Sequence, residues 1–276
     1  MSEKRITSLQ NYKVRRVREL QKRKRARWRE RCFVVEGIRW IEELLRANLL
    51  PHYVFYTEKV LYTPRVRRAL QALQARDVPC YEVGQAVVTA CSDTETPQGI
   101  LAVSPMPENA PPVRVTLTLV VDGVRDPGNM GTILRTALAA GVEQVLLTGN
   151  SVDAYNPKVV RAAMGAHLHL SMRWPKPGDL PADLVGCDVW LADADTQGGI
   201  PYTMVDWTPP VALIVGGEAT GATAKARTLA QATIFIPMAP VVESLNVAVA
   251  TAVILFEIVR QRVSLDKSNL LRHNVP

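Results

Sequence analysis

The chain has 276 residues, 47% of them hydrophobic, which is enough for one or two packed domains. Its formal net charge of +7 is unevenly placed: residues 1–31 hold 13 Lys/Arg against 3 Asp/Glu (+10), and the other 245 hold 20 against 23 (−3). That balance excludes a uniformly basic surface, and with a start this charged no secretory signal peptide is expected.

The basic segment contains Lys22-Arg23-Lys24-Arg25, with Arg27, Arg29 and Arg31 behind it, a run that suits a phosphate backbone. The bland alternative is a solvated or disordered tail. Leu9, Val14, Val17 and Leu20 predict an amphipathic helix under the charges, and Trp28 offers a stacking surface among the arginines. Strands are expected at 33–36, 53–56, 79–83 and 100–103. Helices are expected at 38–49 and, after the cap-and-proline pair Thr63-Pro64, to about 76. Four prolines within 104–112 mark a boundary. Beyond it, the apolar runs 115–121, 144–147, 189–192, 211–215 and 233–236 read as strands buried on both faces, the mark of a parallel sheet covered by helices. Helices are expected at 130–140, 157–164, 222–230 and 245–262.

The four cysteines are widely spaced, with no Cys-x-x-Cys, which fits reduced thiols and no zinc site. His167 and His169 fall two apart on an expected strand with no acidic or Cys ligand nearby, so they read as core or surface histidines and no metal is expected. The apolar part of the last helix is too short to span a bilayer. A cytoplasmic protein with no membrane partner is expected.

Three segments follow strands of the second domain, where ligands of such sheets bind. In Asp122-Gly-Val-Arg-Asp-Pro-Gly-Asn-Met-Gly-Thr-Ile-Leu-Arg135, Asn129 is expected as the helix N-cap. Arg135 leans over Gly131 four residues earlier, which has no side chain to obstruct it. In Val211-Ala-Leu-Ile-Val-Gly-Gly-Glu-Ala-Thr-Gly221, Gly216 and Gly217 leave room for a ligand to approach the backbone. The spacing of Gly216 and Gly221 imitates a phosphate-binding P-loop, but Ala222 stands where the lysine is needed, and no G-x-G-x-x-G occurs. The third segment is Ile236-Pro-Met-Ala-Pro-Val-Val-Glu-Ser-Leu-Asn246. There Ser244, read as an N-cap or as a ligand group, and Asn246 open a helix that is apolar on nearly every side and hence expected to be buried.

Together the three segments resemble the motifs of the SpoU (TrmH-like) RNA 2′-O-ribose methyltransferases of the SPOUT superfamily: Asn129-x-Gly131-x-x-x-Arg135, Gly216-Gly-Glu218, and Ile236-Pro-Met with Ser244-Leu-Asn246. The match covers about residues 115–262. Ile6-Thr-Ser-Leu-Gln-Asn11, Phe33-Val-Val-Glu-Gly37 and the basic helix between them resemble the family's substrate-binding domain.

The resemblance implies an α/β chain with a smaller N-terminal α/β RNA-binding domain (1–104), a linker (105–113), a trefoil-knotted SPOUT methyltransferase domain (114–264) and a tail (265–276). Sequence physics would not have suggested a knot. It further implies S-adenosylmethionine as cofactor, held by Gly216, Gly217, Ile236, Met238 and Leu245. Asn129, Arg135, Glu218, Ser244 and Asn246 fall on catalytic positions, and a homodimer places its active sites at the interface. RNA contacts are expected from Arg15, Arg16, Lys22, Arg23, Arg25 and Arg161.

Arg135 takes the place of the family's proton acceptor, an uncomfortable role for a guanidinium. Either burial depresses its affinity for a proton, or it stabilises a developing alkoxide while phosphate or water takes the proton. The chain departs from the family pattern at Ala163, where a serine is usual, at Gly217, often a small polar residue, and at Pro240, often glycine. The expected substrate is ribosomal RNA. Transfer RNA, or a non-catalytic assembly role on the same fold, is the alternative.

Overall fold

A computed structural model describes residues 5–108, 110–111, 113–148, 151–176, 178–218 and 220–265. The tail expected at 265–276 lies, from 266 on, outside them. In chain order the elements are α1 (Tyr12–Lys22), α2 (Lys24–Glu30), β1 (Cys32–Glu36), α3 (Ile38–Arg46), β2 (Tyr53–Tyr56), α4 (Pro64–Gln74), β3 (Cys80–Glu82), α5 (Gln85–Cys91) and β4 (Ile100–Pro105). Then come β5 (Leu117–Asp122), α6 (Pro127–Ala139), β6 (Gln144–Thr148), α7 (Pro157–Ala163), β7 (Ser171–Arg173), α8 (Leu180–Asp183), β8 (Asp188–Ala192), β9 (Ile200–Pro201), β10 (Val211–Gly216), α9 (Ala224–Arg227), β11 (Ala232–Phe235) and α10 (Val247–Leu265).

Two compact units result, one from residues 1–108 with 153–169, the other from 109–152 with 170–276. In the first, the sheet order is β1-β4-β2-β3, with β4 antiparallel to β1 and β2, and β2 parallel to β3. α1 is capped by Asn11, whose side chain accepts from the Lys13 N–H at 2.9 Å, and buries Val14, Val17 and Leu20. Leu9 precedes this helix and is exposed.

The segment 153–169 joins the first unit because Asp153 is bound there. Arg27 donates to its Oδ2 from Nε at 2.9 Å and Nη2 at 2.6 Å, and the Trp28 indole donates to its Oδ1 at 3.0 Å. Arg27 is only 3% exposed and also donates to the Leu20 carbonyl at 2.6 Å. It is therefore a buried structural ion, not the phosphate contact that its place behind the basic run suggested. Trp28, set edge-on to Tyr155, is likewise a packing residue instead of a free stacking face.

His167 lies in a short 3₁₀ turn (Ala166–Leu168), not a strand, and is fully buried beside Phe33, Trp40 and Tyr155. Its Nε2 donates to the Ala154 carbonyl at 2.7 Å, so the carbonyl fixes the tautomer.

The second unit is a seven-stranded sheet in the order β7-β6-β5-β10-β8-β11-β9, with every recorded pairing parallel. β5 and β10 are its centre and are apolar on both faces because helices cover both. The last turn of α10 is clasped to the rest of the unit. Arg262 donates to the carbonyls of Trp207 (2.9 Å), Thr116 (2.9 Å) and Pro209 (2.8 Å). α10 itself buries Ala248, Thr251, Ile254, Leu255 and Ile258, while its Val249 and Phe256 stay about half exposed. An apolar circumference did not mean burial on all sides within one chain. Among the described residues no helix is long and apolar enough to cross a membrane.

Burial lowers the His167 pKa to about 4, against 6.5 unfolded. Between those values the unfolded chain binds the extra proton, so stability is complete above about 6.5 and falls as the pH drops toward 4, by on the order of 3 kcal/mol. Chemical denaturation of wild type and His167→Phe across that range should show the steeper fall in wild type; parallel curves would refute the assignment.

Candidate active site

The site is assembled where β5, β10 and the start of α10 converge. α6 is capped by Asp126, not by Asn129. Pro127 occupies the first helical position, where no N–H is needed, and the Asp126 carboxylate accepts from the Asn129 N–H at 2.7 Å. That frees the Asn129 side chain, whose Nδ2 donates to Glu218 Oε1 at 2.8 Å. α10 is capped by Asn246, not by Ser244: its Oδ1 accepts from the N–H groups of Ala248 (2.9 Å) and Val249 (3.3 Å). Its Nδ2 donates to Asn129 Oδ1 at 2.9 Å. The chain of bonds has one possible direction. A carboxylate only accepts, so Asn129 must turn its NH₂ to Glu218 and its oxygen to Asn246, which must turn its own oxygen to the helix.

Burial pushes the Glu218 carboxyl upward. Hydrogen bonds from the Asn129 side chain and from the backbone N–H groups of Glu218, Arg125 and Asp126 outweigh it and hold the pKa below the ordinary carboxylate value. Glu218 thus holds the Asn129 side chain and the Arg125 N–H, the latter at 3.4 Å.

Below this relay lies a cavity of about 380 Å³. Gly216, Gly217, Ile236, Met238 and Leu245 all line it, as do Glu218, Ser244 and Asn246. Arg135 does not line it. Arg135 is exposed on α6, and its side chain makes no hydrogen bond among the described residues.

The glycines serve the chain's own packing. A Cβ on Gly217 would collide with the Gly123 carbonyl, and one on Gly216 with the backbone of Gly221 and Ala222. Gly217 and Gly221 exchange backbone bonds at 3.2 and 3.0 Å, which closes the loop after β10.

Two acidic residues escaped the sequence pattern. Asp122, 1% exposed, accepts from Thr148 Oγ1 at 2.8 Å and the Thr223 N–H at 2.6 Å, so it ties together the loops after β5, β6 and β10. A carboxylate closing a buried apolar run was the available signal. Asp193 lines the cavity and pairs with Arg227 at 2.6 Å. Nothing local announced that pair, whose members are 34 residues apart.

Of the expected RNA contacts, Arg15, Lys22, Arg23 and Arg25 are exposed on α1, α2 and the residue between them. Arg16 is half-buried and bound to Glu30 at 2.7 Å. Arg161, on α7, pairs with Asp93 at 3.2 Å. Ala163, in place of the usual serine, is buried.

The fold and site define an α/β protein whose ligand crevice opens at the carboxyl edge of a parallel sheet. Residues 116–256 match the SpoU rRNA methylase family, and residues 11–102 match the MRM3-like substrate binding domain. The chain belongs to the SpoU rRNA methylase family. It is 31% identical to a 23S rRNA guanosine 2′-O-methyltransferase of Bacillus subtilis, over 92% of this chain and 99% of the relative. Among solved structures it is similar to the SpoU methyltransferase AviRb of Streptomyces viridochromogenes in complex with AdoMet (TM-score 0.82, 28% identity, 92% of this chain and 99% of that one). It is also similar to the AdoMet-bound rRNA methyltransferase of Sinorhizobium meliloti (TM-score 0.81, 29% identity, 93% and 97%).

Replacing Asn129 by Ala removes the side-chain donor that most favours ionised Glu218. The Glu218 pKa should then rise, as read by carbon-13 NMR of labelled glutamate; an unmoved titration would show that the relay does not set its charge.

Proposed function

We propose that the protein is an S-adenosylmethionine-dependent methyltransferase acting on a ribose 2′-hydroxyl of ribosomal RNA. The observation that carries this reading is the relay Asn246–Asn129–Glu218 at the mouth of the cavity lined by Gly216, Ile236, Met238 and Leu245. The cavity volume is in the usual range for cofactor sites, about 300–1,000 Å³. Its apolar walls suit an adenosine, and the Glu218 and Asp193 side chains on its lining suit a positive sulfonium. Bound S-adenosylmethionine would supply a methyl group on that sulfonium.

The residues of the chain then have separable tasks. Ser244, exposed and lining the cavity, and Asn246 orient the incoming ribose. Glu218 and Asn129 hold Asn246 rigid. Arg135, always protonated, does not take the hydroxyl proton; its guanidinium stabilises the developing alkoxide while phosphate or water accepts the proton.

Arg135 reaches a cavity by acting across a homodimer. It shares a face of α6 with Leu138, three residues on and 37% exposed. α6 packs on α10. Val249 and Phe256, seven apart on one side of α10, leave an apolar strip for a second copy to cover. The knot that the family resemblance implies would involve α10, whose last turn Arg262 binds to the Trp207 and Thr116 carbonyls. On this reading the protein works in the cytoplasm, with the exposed cations of α1 and α2 on RNA phosphates.

Arg135→Ala should lower methyl transfer to ribosomal RNA by about 10²–10³-fold and leave S-adenosylmethionine binding, by calorimetry, unchanged. Retained activity sinks the role of Arg135, and absence of cofactor binding in wild type sinks the methyltransferase reading. Mixing Arg135→Ala with a Ser244→Ala, Asn246→Ala variant should restore transfer, because hybrid dimers hold one intact site; a mixture as inactive as its parts would show that Arg135 acts within its own chain.

A further inference from the structure

The first unit contains a second cavity, also of about 380 Å³, walled by β1, the start of α3, the 92–98 loop and α7. Trp40 lines it and is 7% exposed, its ring held against Phe33 and His167. The Trp40 indole N–H has no hydrogen-bond partner among the described residues. Gln21 donates from Nε2 to the Cys91 carbonyl at 3.0 Å, which fixes its amide. Its Oε1 is buried and has no donor among the described residues. Three carboxylates share the lining: Glu36 and Glu43, and Asp93 at the rim. Glu36 is engaged by Ser92 Oγ (2.7 Å) and the Gln98 N–H (2.8 Å), whereas Glu43 bonds only Arg46 at the surface.

The rim has the opposite charge. Arg39 is exposed there, and Arg161 faces Asp93 at 3.2 Å with its side chain 49% exposed. Such a pair is worth about 0–1 kcal/mol and yields to a stronger anion.

An acceptor-rich interior with an aromatic wall asks for a flat, neutral heterocycle that carries several N–H donors. A cationic rim asks for phosphates that stay outside. We propose that this cavity receives a single unstacked guanine base of the RNA, with Arg39 and Arg161 on the flanking phosphates. Guanine offers the adjacent N1–H and N2–H₂ donors that a carboxylate accepts as a pair, whereas uracil brings one N–H between two carbonyls that a carboxylate repels. Recognition of splayed-out bases on aromatic rings and through their Watson–Crick edges is how single-stranded RNA is usually read. Glu43 is the reading carboxylate, since Glu36 is occupied in holding the 92–98 loop.

The site rests on the RNA reading given above, but its test does not use methyl transfer. Nitrogen-15-labelled full-length protein is titrated with 5′-GMP, 5′-UMP and inorganic phosphate while the indole cross-peak of Trp40, assigned with Trp40→Phe, is followed. GMP should move that peak saturably and bind roughly fivefold or more tighter than UMP, inorganic phosphate should leave it in place, and Glu43→Gln should weaken GMP by roughly fivefold with the rest of the spectrum unchanged. A flat GMP titration, equal responses to GMP and UMP, or the same shift from phosphate alone overturns the base pocket. A wild-type protein that binds GMP here yet methylates no ribosomal RNA would instead overturn the methyltransferase reading and leave the pocket standing.

Discussion

A carboxylate can accept hydrogen bonds and never donate them, and the whole active-site face is oriented by that constraint. Glu218 fixes which way Asn129 points, Asn129 fixes Asn246, and Asn246 spends its oxygen on the first N–H groups of α10. Three segments, the outermost pair of them 117 residues apart in sequence, thereby acquire one polarity. The positive end of the α10 dipole lies at one terminus of the relay and an ionised carboxylate at the other, so both ends favour the same direction. The relay is exposed in a single chain, where water competes with each bond. Covering it with substrate or a second copy removes that competition and strengthens every member at once.

The sheet supplies the distances that the relay needs. β5 and β10 are adjacent and parallel, so the loops that leave them start side by side. Asp122, at the last position of β5, then ties the loops after β6 and β10 to the same point. Gly217 can lie on the Gly123 carbonyl only because it has no side chain. The glycine pair is therefore required before any ligand is considered: it lets two loops touch, and the crevice is what remains beside that contact.

The two central strands and the helix after β5 were legible because burial on both faces leaves an uninterrupted apolar run, and because Gly131 and Arg135 hold helical spacing. Cap positions were not. Asp126 and Asn129, like Ser244 and Asn246, are pairs of residues that can each cap a helix, and local pattern does not choose between them. The choice is made by Pro127 in one case and by the distant Asn129 in the other. Eight residues of the family motifs line one cavity, yet the motifs gave no hint that Arg27 is consumed by Asp153, 126 residues away. Charge in a sequence is read as exposure, and only tertiary structure shows which arginine of a basic run has turned inward. Segment 153–169 was hidden for the same reason, since the bonds that assign it to the first unit are all long-range.

Arg135 stands outside this network, and the separation has a physical sense. A guanidinium placed permanently beside Glu218 would form an ion pair, and each group would be held by the other instead of by substrate. With Glu218 saturated by Asn129 and by backbone N–H groups, its charge is already satisfied within the chain, and Arg135 is left without an internal partner among the described residues. A cation with no prior partner has most of its electrostatic interaction available for charge that develops during reaction, which is the condition under which binding energy lowers a barrier and not merely a ground state. On the proposed reading, the residues that build the crevice and the arginine that meets the reacting oxygen come from different copies of the chain, each incomplete alone.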